Sequence, residues 1–320
     1  MRGINQLVAV LCAVVMTGCA GVPRPARLTA EEPGSPVELD ARTRLVDTPC
    51  SGRFGFLVPG AGQLCYGKPG EGATLLGLTA VEVTTATVAG VTGEGPALEN
   101  PAVFLPLVAL QNVWIYGVVD PYLDEQRAAQ QLYVPQESLF ELAAAPFNYR
   151  VLTQPDVGLG ILGLASLAIV YGSLVNTGGT PMNTGRTSAA QYVAVTGVGS
   201  ALFTHVAIGE EVLFRGMLQS GLARNRGPWV GWAWSSAIFG AAHLPNALAL
   251  PESQQRDYLL YSVPFITVVG SYLGLTYHWN DYALSAPVAV HFWYDLLLSL
   301  ASFSAAPDTG TVGTSIRLPW

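Results

Sequence analysis

The chain has 320 residues, of which only 12% are charged and 50% are hydrophobic, and its net charge is −7. Soluble domains usually carry about twice this share of charged residues, so the composition indicates a membrane protein. The acidic balance also argues against nucleic acid as a partner, because domains that bind nucleic acid present basic surfaces.

The N-terminus has the pattern of an export signal. Arg2 precedes a short apolar core, and Cys19 follows two small residues. Small residues before a cysteine resemble the bacterial lipobox, in which a signal peptidase cuts before Cys19 and the cysteine is lipidated; an ordinary signal peptide or signal anchor is the alternative. We therefore expect a signal over 1–18. The stretch 19–53 is rich in Pro, Glu, Arg and Thr, which predicts an exposed, flexible tether.

Accessory membrane segments and a surface linker are predicted over 54–155. The first stretch, 54–64, is apolar but short, and a Pro-Gly turn at Pro59 interrupts it. A helix needs about 20 residues to cross a bilayer core, so this stretch predicts a re-entrant or interfacial segment. Cys50 and Cys65 flank it, and they either form a disulfide in an oxidising compartment or remain unpaired.

Long apolar stretches predict about seven to eight spans, and hence an all-α polytopic transmembrane bundle. Its helical core is expected over 156–304, with a C-terminal tail over 305–320. The polar stretch 120–154 predicts a surface helix over 124–132 and a loop. The predicted spans are 73–91, 102–119, 157–175, 189–222, 229–244, 258–277 and 283–303.

Ionisable residues inside three of these spans are the strongest functional signal in the chain. Such groups cost about 2.5–3.5 kcal/mol or more in hydrocarbon, so they are rare there and usually mark a functional site. Their presence on three separate spans predicts one shared site inside the membrane. They are Glu210, Glu211, Arg215, His243, His291 and Asp295.

Helical spacing assigns different environments to the two glutamates. Adjacent helical residues point about 100° apart, so Glu210 and Glu211 do not face the same way. Glu211 and Arg215 are four residues apart and can pair along one face of the helix. This pairing would leave Glu210 free for chemistry. The alternative is a purely architectural ion cluster.

Each histidine shares a helix face with a residue four positions away. Phe239 precedes His243, and Asp295 follows His291, at this spacing. Pro245 should kink or end the helix of His243, which would bring that histidine near water. The structural alternatives are a hydrogen-bonded core histidine and a His–Asp bond that only stabilises its helix.

Taken in order, the motifs Glu-Glu-x-x-x-Arg, Phe-x-x-x-His and His-x-x-x-Asp resemble the CPBP (Abi) family, which includes Ras-converting enzyme. The resemblance covers residues 190–304. It implies a CAAX-type intramembrane endopeptidase in the bacterial inner (cell) membrane, acting on a membrane-associated protein or peptide. The family's catalytic positions correspond to Glu210, His243, His291 and Asp295, its structural ion pair to Glu211 and Arg215, and its supporting aromatic to Phe239.

The resemblance also implies a mechanism. Glu210 and His243 would hold and deprotonate a water that attacks a peptide carbonyl, while His291 and Asp295 stabilise the oxyanion. Many family members have Asn where this chain has Asp295, and an ionised aspartate has no hydrogen to donate. Asp295 is therefore protonated, orients His291, or binds a metal. Because the four side chains form a nitrogen and oxygen set that could suit zinc or another divalent ion, glutamic and metalloprotease chemistry both stay open.

Two other functional classes are compatible with the same residues. One is a non-enzymatic membrane scaffold or immunity-type protein, and the other is a proton- or metal-binding transporter. Transporters often contain inverted repeats, which this sequence lacks. Two further residues are weaker site candidates: Glu82 could line the cavity or pair with an arginine, and His205 is expected to be a packed histidine.

Overall fold

The computed structural model describes residues 52–93, 100–129, 131–132, 134–175 and 189–305. Within these ranges every regular element is helical, and the predicted all-α polytopic bundle is confirmed. Several predictions lie outside the described residues, namely the signal over 1–18, Cys19, nearly all of the tether over 19–53, and the tail beyond residue 305.

Twelve α-helices occur in the described part of the chain. Those before the 176–188 gap are α1 (Ala61–Cys65), α2 (Pro69–Thr92), α3 (Pro101–Ala128), α4 (Leu139–Ala144), α5 (Tyr149–Leu152) and α6 (Pro155–Val175). Those after it are α7 (Ala189–Glu211), α8 (Ser220–Arg226), α9 (Pro228–Ala242), α10 (Glu252–Asp257), α11 (Val263–Trp279) and α12 (Ser285–Ala305). Two π-helical turns, Val212–Gln219 and Tyr258–Ser262, join α7 to α8 and α10 to α11.

Five of the described helical stretches are long and apolar enough to cross a membrane. A sixth apolar stretch, Pro155–Val170, is shorter and forms the first part of α6. These helices support a multi-pass membrane protein, while the predicted total of seven to eight spans stays a prediction. The five stretches are Pro69–Thr92, Pro101–Ala128, Ala189–Arg226, Glu252–Trp279 and Ser285–Phe303.

Two predicted boundaries were wrong. The separate surface helix over 124–132 is instead the continuation of α3, because the acidic residues at this end are neutralised by a lysine and stay helical. The predicted span over 229–244 is α9, a helix of only 15 residues that ends at Ala242 and is capped by His243. Pro245 follows three residues after Ala242, and a proline has no N–H with which to continue the helix.

A buried polar cluster joins the start of α2 to the end of α3. The Nζ atom of Lys68 lies 2.9 Å from the Asp120 carboxylate and 2.6 Å from that of Asp124. Gln63 also donates to Asp120, at 3.2 Å. Burial lowers the pKa of Lys68, but Asp120 and Asp124 outweigh this effect and hold the pKa above its ordinary value. Cys65, at the end of α1, is disulfide-bonded, and Cys50 lies outside the described residues.

Helix α12 lies between two hydrophobic cores. On one side α7 packs between α12 and α3, and the core there includes Tyr116, Phe203 and Phe292. On the other side α6, α9 and α11 form a second core, which includes Phe239 and Leu273. The helix that carries His291 and Asp295 is therefore buried by contacts on opposite faces.

We expect Lys68→Met to destabilise the protein by about 3–5 kcal/mol, because it leaves the buried Asp120 carboxylate without its cation, while Arg127 still pairs with Asp124. The measurement is unfolding in detergent, with Arg256→Met as the control, since Arg256 is exposed. Because the folded-state pKa of Lys68 is raised, its contribution is complete below the ordinary lysine pKa and is lost as pH rises through the folded-state value. Equal stability of the two variants would contradict this prediction.

Candidate active site

The two glutamates lie where the helical path of the chain changes. Helix α7 ends at Glu211, and the π-helical turn Val212–Gln219 begins immediately after it. Such turns are rare and occur frequently at functional sites. The wider turn is accompanied by a side-chain contact: the hydroxyl of Ser220 donates to the backbone carbonyl of Arg215, at 3.1 Å.

Glu211 contacts two partners at once. Its Oε2 atom lies 3.1 Å from Nε of Arg215, and its Oε1 atom accepts a hydrogen bond of 2.8 Å from Nδ1 of His291. Both Glu211 and Arg215 are fully buried. Their contact is an ion pair and not a hydrogen bond, since neither Oε2 of Glu211 nor Nε of Arg215 has a hydrogen-bond partner. The intrahelical spacing indicated this pair, whereas nothing in the sequence indicated that Glu211 also binds His291.

Arg215 connects three helical segments. Its Nη2 atom donates to the carbonyl of Gly270 in α11, at 2.8 Å, and its guanidinium carbon lies 4.6 Å from the ring centroid of Phe239 in α9. A side chain at position 270 would approach the Phe239 ring to 2.6 Å, so only glycine allows this packing. The Phe239 ring also lies 4.9 Å from that of His243 and 6.0 Å from that of His291.

Glu210 faces the catalytic candidates on the other helices. Its Oε2 atom lies 3.9 Å from Nε2 of His291, and the same nitrogen lies 3.4 Å from Oδ2 of Asp295. Glu210 also interacts electrostatically with His243. Within the described residues, Oε2 of Glu210 is buried and has no hydrogen-bond partner. The structure thus brings together the four candidate site residues that the sequence predicted, Glu210, His243, His291 and Asp295.

The ring of His243 is held at the end of α9. Its Nδ1 atom is 2.8 Å from the backbone carbonyl of Phe239, which can only accept, so Nδ1 carries the proton in this contact. In the neutral ring the lone pair is then on Nε2. The hydroxyl of Tyr258 donates to the backbone carbonyl of His243, at 3.1 Å. These two contacts orient His243 at the point where its helix ends.

The arrangement does not fit a metal site. Among the residues that the structure describes, no group of three or more His, Cys, Asp or Glu side chains is placed to hold a metal ion. The set of Glu210, His243, His291 and Asp295, which the sequence left open as zinc ligands, is therefore not assembled as one.

The sequence did not indicate two further contacts between helices, which involve Glu82 and Gly209. Glu82 in α2 lies 3.6 Å from Nε2 of His205 in α7, so it pairs with a histidine and not with an arginine. Gly209, directly before Glu210, packs against Asn112 of α3, and a side chain there would meet Asn112 atoms at 2.6–2.8 Å. The only hint in the sequence was a glycine next to a buried glutamate.

We expect Gly209→Ala to destabilise the protein by about 1–3 kcal/mol, because the added methyl group overlaps atoms of α3, including backbone. The matched control is Gly197→Ala in the same helix, where the new methyl group would have nothing within 4 Å. The control should be neutral or slightly stabilising, since alanine favours helix over glycine by about 1 kcal/mol. Unfolding in detergent compares the two, and equal stability would show that α7 and α3 are not in close contact.

Comparison with known proteins identifies the region that contains this site. Residues 192–297 match the family model described as type II CAAX prenyl endopeptidase, Rce1-like. The matched range includes every residue of the candidate site and agrees with the 190–304 region of the sequence resemblance. No curated protein and no solved structure matches the chain.

Proposed function

Because residues 192–297 belong to the Rce1-like CAAX endopeptidase family, we propose that this protein hydrolyses a peptide bond in a membrane-associated protein or peptide. The family assignment suggests intramembrane endopeptidase activity, and the mechanism proposed here uses a water activated by Glu210. One observation supports this mechanism above the others. Three helices bring Glu210, His243 and His291 together, and an oxygen of Glu210 has no hydrogen-bond partner among the described residues.

Glu210 is the general base in this proposal. Glu211 cannot take the same role, because its two oxygens contact Arg215 and His291. Glu210 is also less buried, with 20% of its side chain exposed. It accepts a proton from water as the hydroxide oxygen bonds to the peptide carbonyl carbon. It then returns that proton to the nitrogen as the C–N bond breaks, so the amine leaves neutral.

His243 holds the attacking water. Its Nδ1–H donates to the carbonyl of Phe239, so Nε2 of the neutral ring can accept a hydrogen bond from water. A water bound in this way would have its second proton available to Glu210. Holding the nucleophile in a fixed position lowers the entropic part of the barrier, which is a large contribution in enzymes of this kind.

His291 donates to the oxyanion from Nε2–H, since its Nδ1–H is bound to Glu211, and the charge of Asp295 beside the ring orients it. Ionised aspartate has no hydrogen to donate, which argues against direct stabilisation of an oxyanion by Asp295. Its Oδ2 atom lies 3.4 Å from Nε2 of His291, while Glu211 binds Nδ1 on the opposite side of the ring. The imidazole is thereby held between two carboxylates, in a fixed orientation. A donor fixed in advance stabilises charge in the transition state more effectively than a mobile one.

We expect Glu210→Gln to lower the cleavage rate by at least about 10²–10⁴-fold, because the amide cannot accept a proton from water. The assay uses protein in detergent micelles with a library of membrane peptides. Glu252→Gln is the control, because Glu252 is exposed at the start of α10. Cleavage by folded Glu210→Gln at the wild-type rate would contradict the proposal. A folded wild type that cleaves no peptide would favour the scaffold function.

We expect cleavage to survive chelation, because the described residues contain no assembled metal site. Asp295→Asn should retain activity within about tenfold, since its amide oxygen still lies beside the His291 ring, whereas Asp295→Ala removes that oxygen and should lose about 10²-fold. The same peptide assay, run with and without a chelator, measures both effects. Loss of cleavage on chelation, with recovery in zinc, would contradict the metal-free mechanism and make Asp295 a candidate ligand.

A further inference from the structure

We propose that the segment between α3 and α5, residues 134–147, is a brace that sets the position of α12, and that Glu137 in it is a positioning residue for His291. Its catalytic consequence rests on the proposed peptidase function. The brace lies outside the matched range 192–297. It contacts α12 before and after His291, and it is itself bonded to α3.

Glu137 binds the N-terminus of α12. Its carboxylate accepts hydrogen bonds from the backbone N–H groups of Leu284 and Ser285 and from the Ser285 hydroxyl. The first N–H groups of a helix have no partner within the helix, and the helix dipole favours a negative charge at this end. The carboxylate comes from a residue 147 positions earlier in the chain. It therefore fixes α12 from outside rather than as a local cap.

The end of the brace contacts α12 again just past the catalytic histidine. The carbonyl of Pro146 accepts a hydrogen bond of 2.6 Å from the indole nitrogen of Trp293. The ring of Phe147 packs edge-on against Phe292 and Trp293, with centroid distances of 5.3 and 6.1 Å. Contacts at the first turn and beside His291 together restrict both sliding and rotation of α12.

The start of the brace is bonded to α3. Arg127 donates to the carbonyl of Pro135 at 3.1 Å, and Gln136 donates to Asp124 at 3.0 Å. Asp124 is also bound by Lys68, so the brace is continuous with the buried polar cluster. The chain just before the brace is also held, because Arg224 in α8 donates to the carbonyl of Gln131 at 2.7 Å.

Through these contacts Glu137 would hold His291 in position without touching the substrate. A displacement of about 1 Å in a catalytic group can cost about 10²-fold in rate. If α12 shifts, Nε2 of His291 moves relative to Glu210 and Asp295, from which it lies 3.9 and 3.4 Å. Loss of Glu137 should therefore reduce the chemical step more than it reduces substrate binding.

The test compares Glu137→Ala with wild-type protein in micelles. Three quantities are measured: peptide cleavage, hydrogen exchange of the Leu284 and Ser285 amides, and the ¹⁵N resonances of His291. The last is practical because the chain has only 4 histidines. We expect exchange about tenfold faster, as hydrogen bonds to a charged acceptor are lost. We also expect a shifted His291 resonance, and kcat lower by about 10- to 100-fold with KM changed less than about twofold.

Two variants sharpen the comparison. Glu137→Gln keeps one acceptor oxygen and should restore part of both the amide protection and kcat. Glu125→Gln is the matched control, because Glu125 lies at the exposed end of α3 and should change none of the three quantities. If amide exchange or the His291 resonance is unchanged in Glu137→Ala, the proposal is wrong. Faster exchange with wild-type kcat also overturns it. If wild type cleaves nothing, the proposed function fails, and exchange and the resonance alone then decide whether the brace positions His291.

Discussion

The buried carboxylate of Glu211 is the constraint on which the rest of the site depends. A charge that is removed from water costs several kcal/mol unless other groups compensate it. Here Arg215 and His291 contact the two oxygens of Glu211, and Arg215 in turn binds the carbonyl of Gly270 and the face of Phe239. Compensating one carboxylate therefore requires α7, α9, α11 and α12 to pack in one arrangement.

That arrangement places two adjacent glutamates in different environments. Glu211 is fully enclosed by its partners, while Glu210, one residue earlier, points toward His291 and Asp295 with a free oxygen. Glycine makes the close helix packing feasible at two points: Gly209 against α3, and Gly270 against Phe239. The position of the polar site thus depends on these two packing contacts, which involve no polar or ionisable group of the site.

The support for the site extends beyond the region that carries the family motifs. Asn112 contacts α7, Glu82 pairs with His205, and Glu137 binds the start of α12, although all three lie before residue 192. The buried Lys68 cluster is bonded to the brace through Asp124. The N-terminal half therefore packs against and supports the helices that carry the candidate site.

The sequence by itself determined the helical class, the apolar stretches and the candidate residues of the site. Contacts within one helix follow from its 3.6-residue repeat, so the pairing of Glu211 with Arg215 and the closeness of His291 to Asp295 could be predicted. Contacts between helices depend on how each helix is rotated and how deeply it packs, which local spacing does not encode. Only the tertiary structure therefore decided that Glu211 binds His291, that Arg215 reaches Gly270, and that Glu137 holds α12 in place. The continuation of α3 past Asp120 was missed for the same reason, because its neutralising partner, Lys68, lies 52 residues away in the chain.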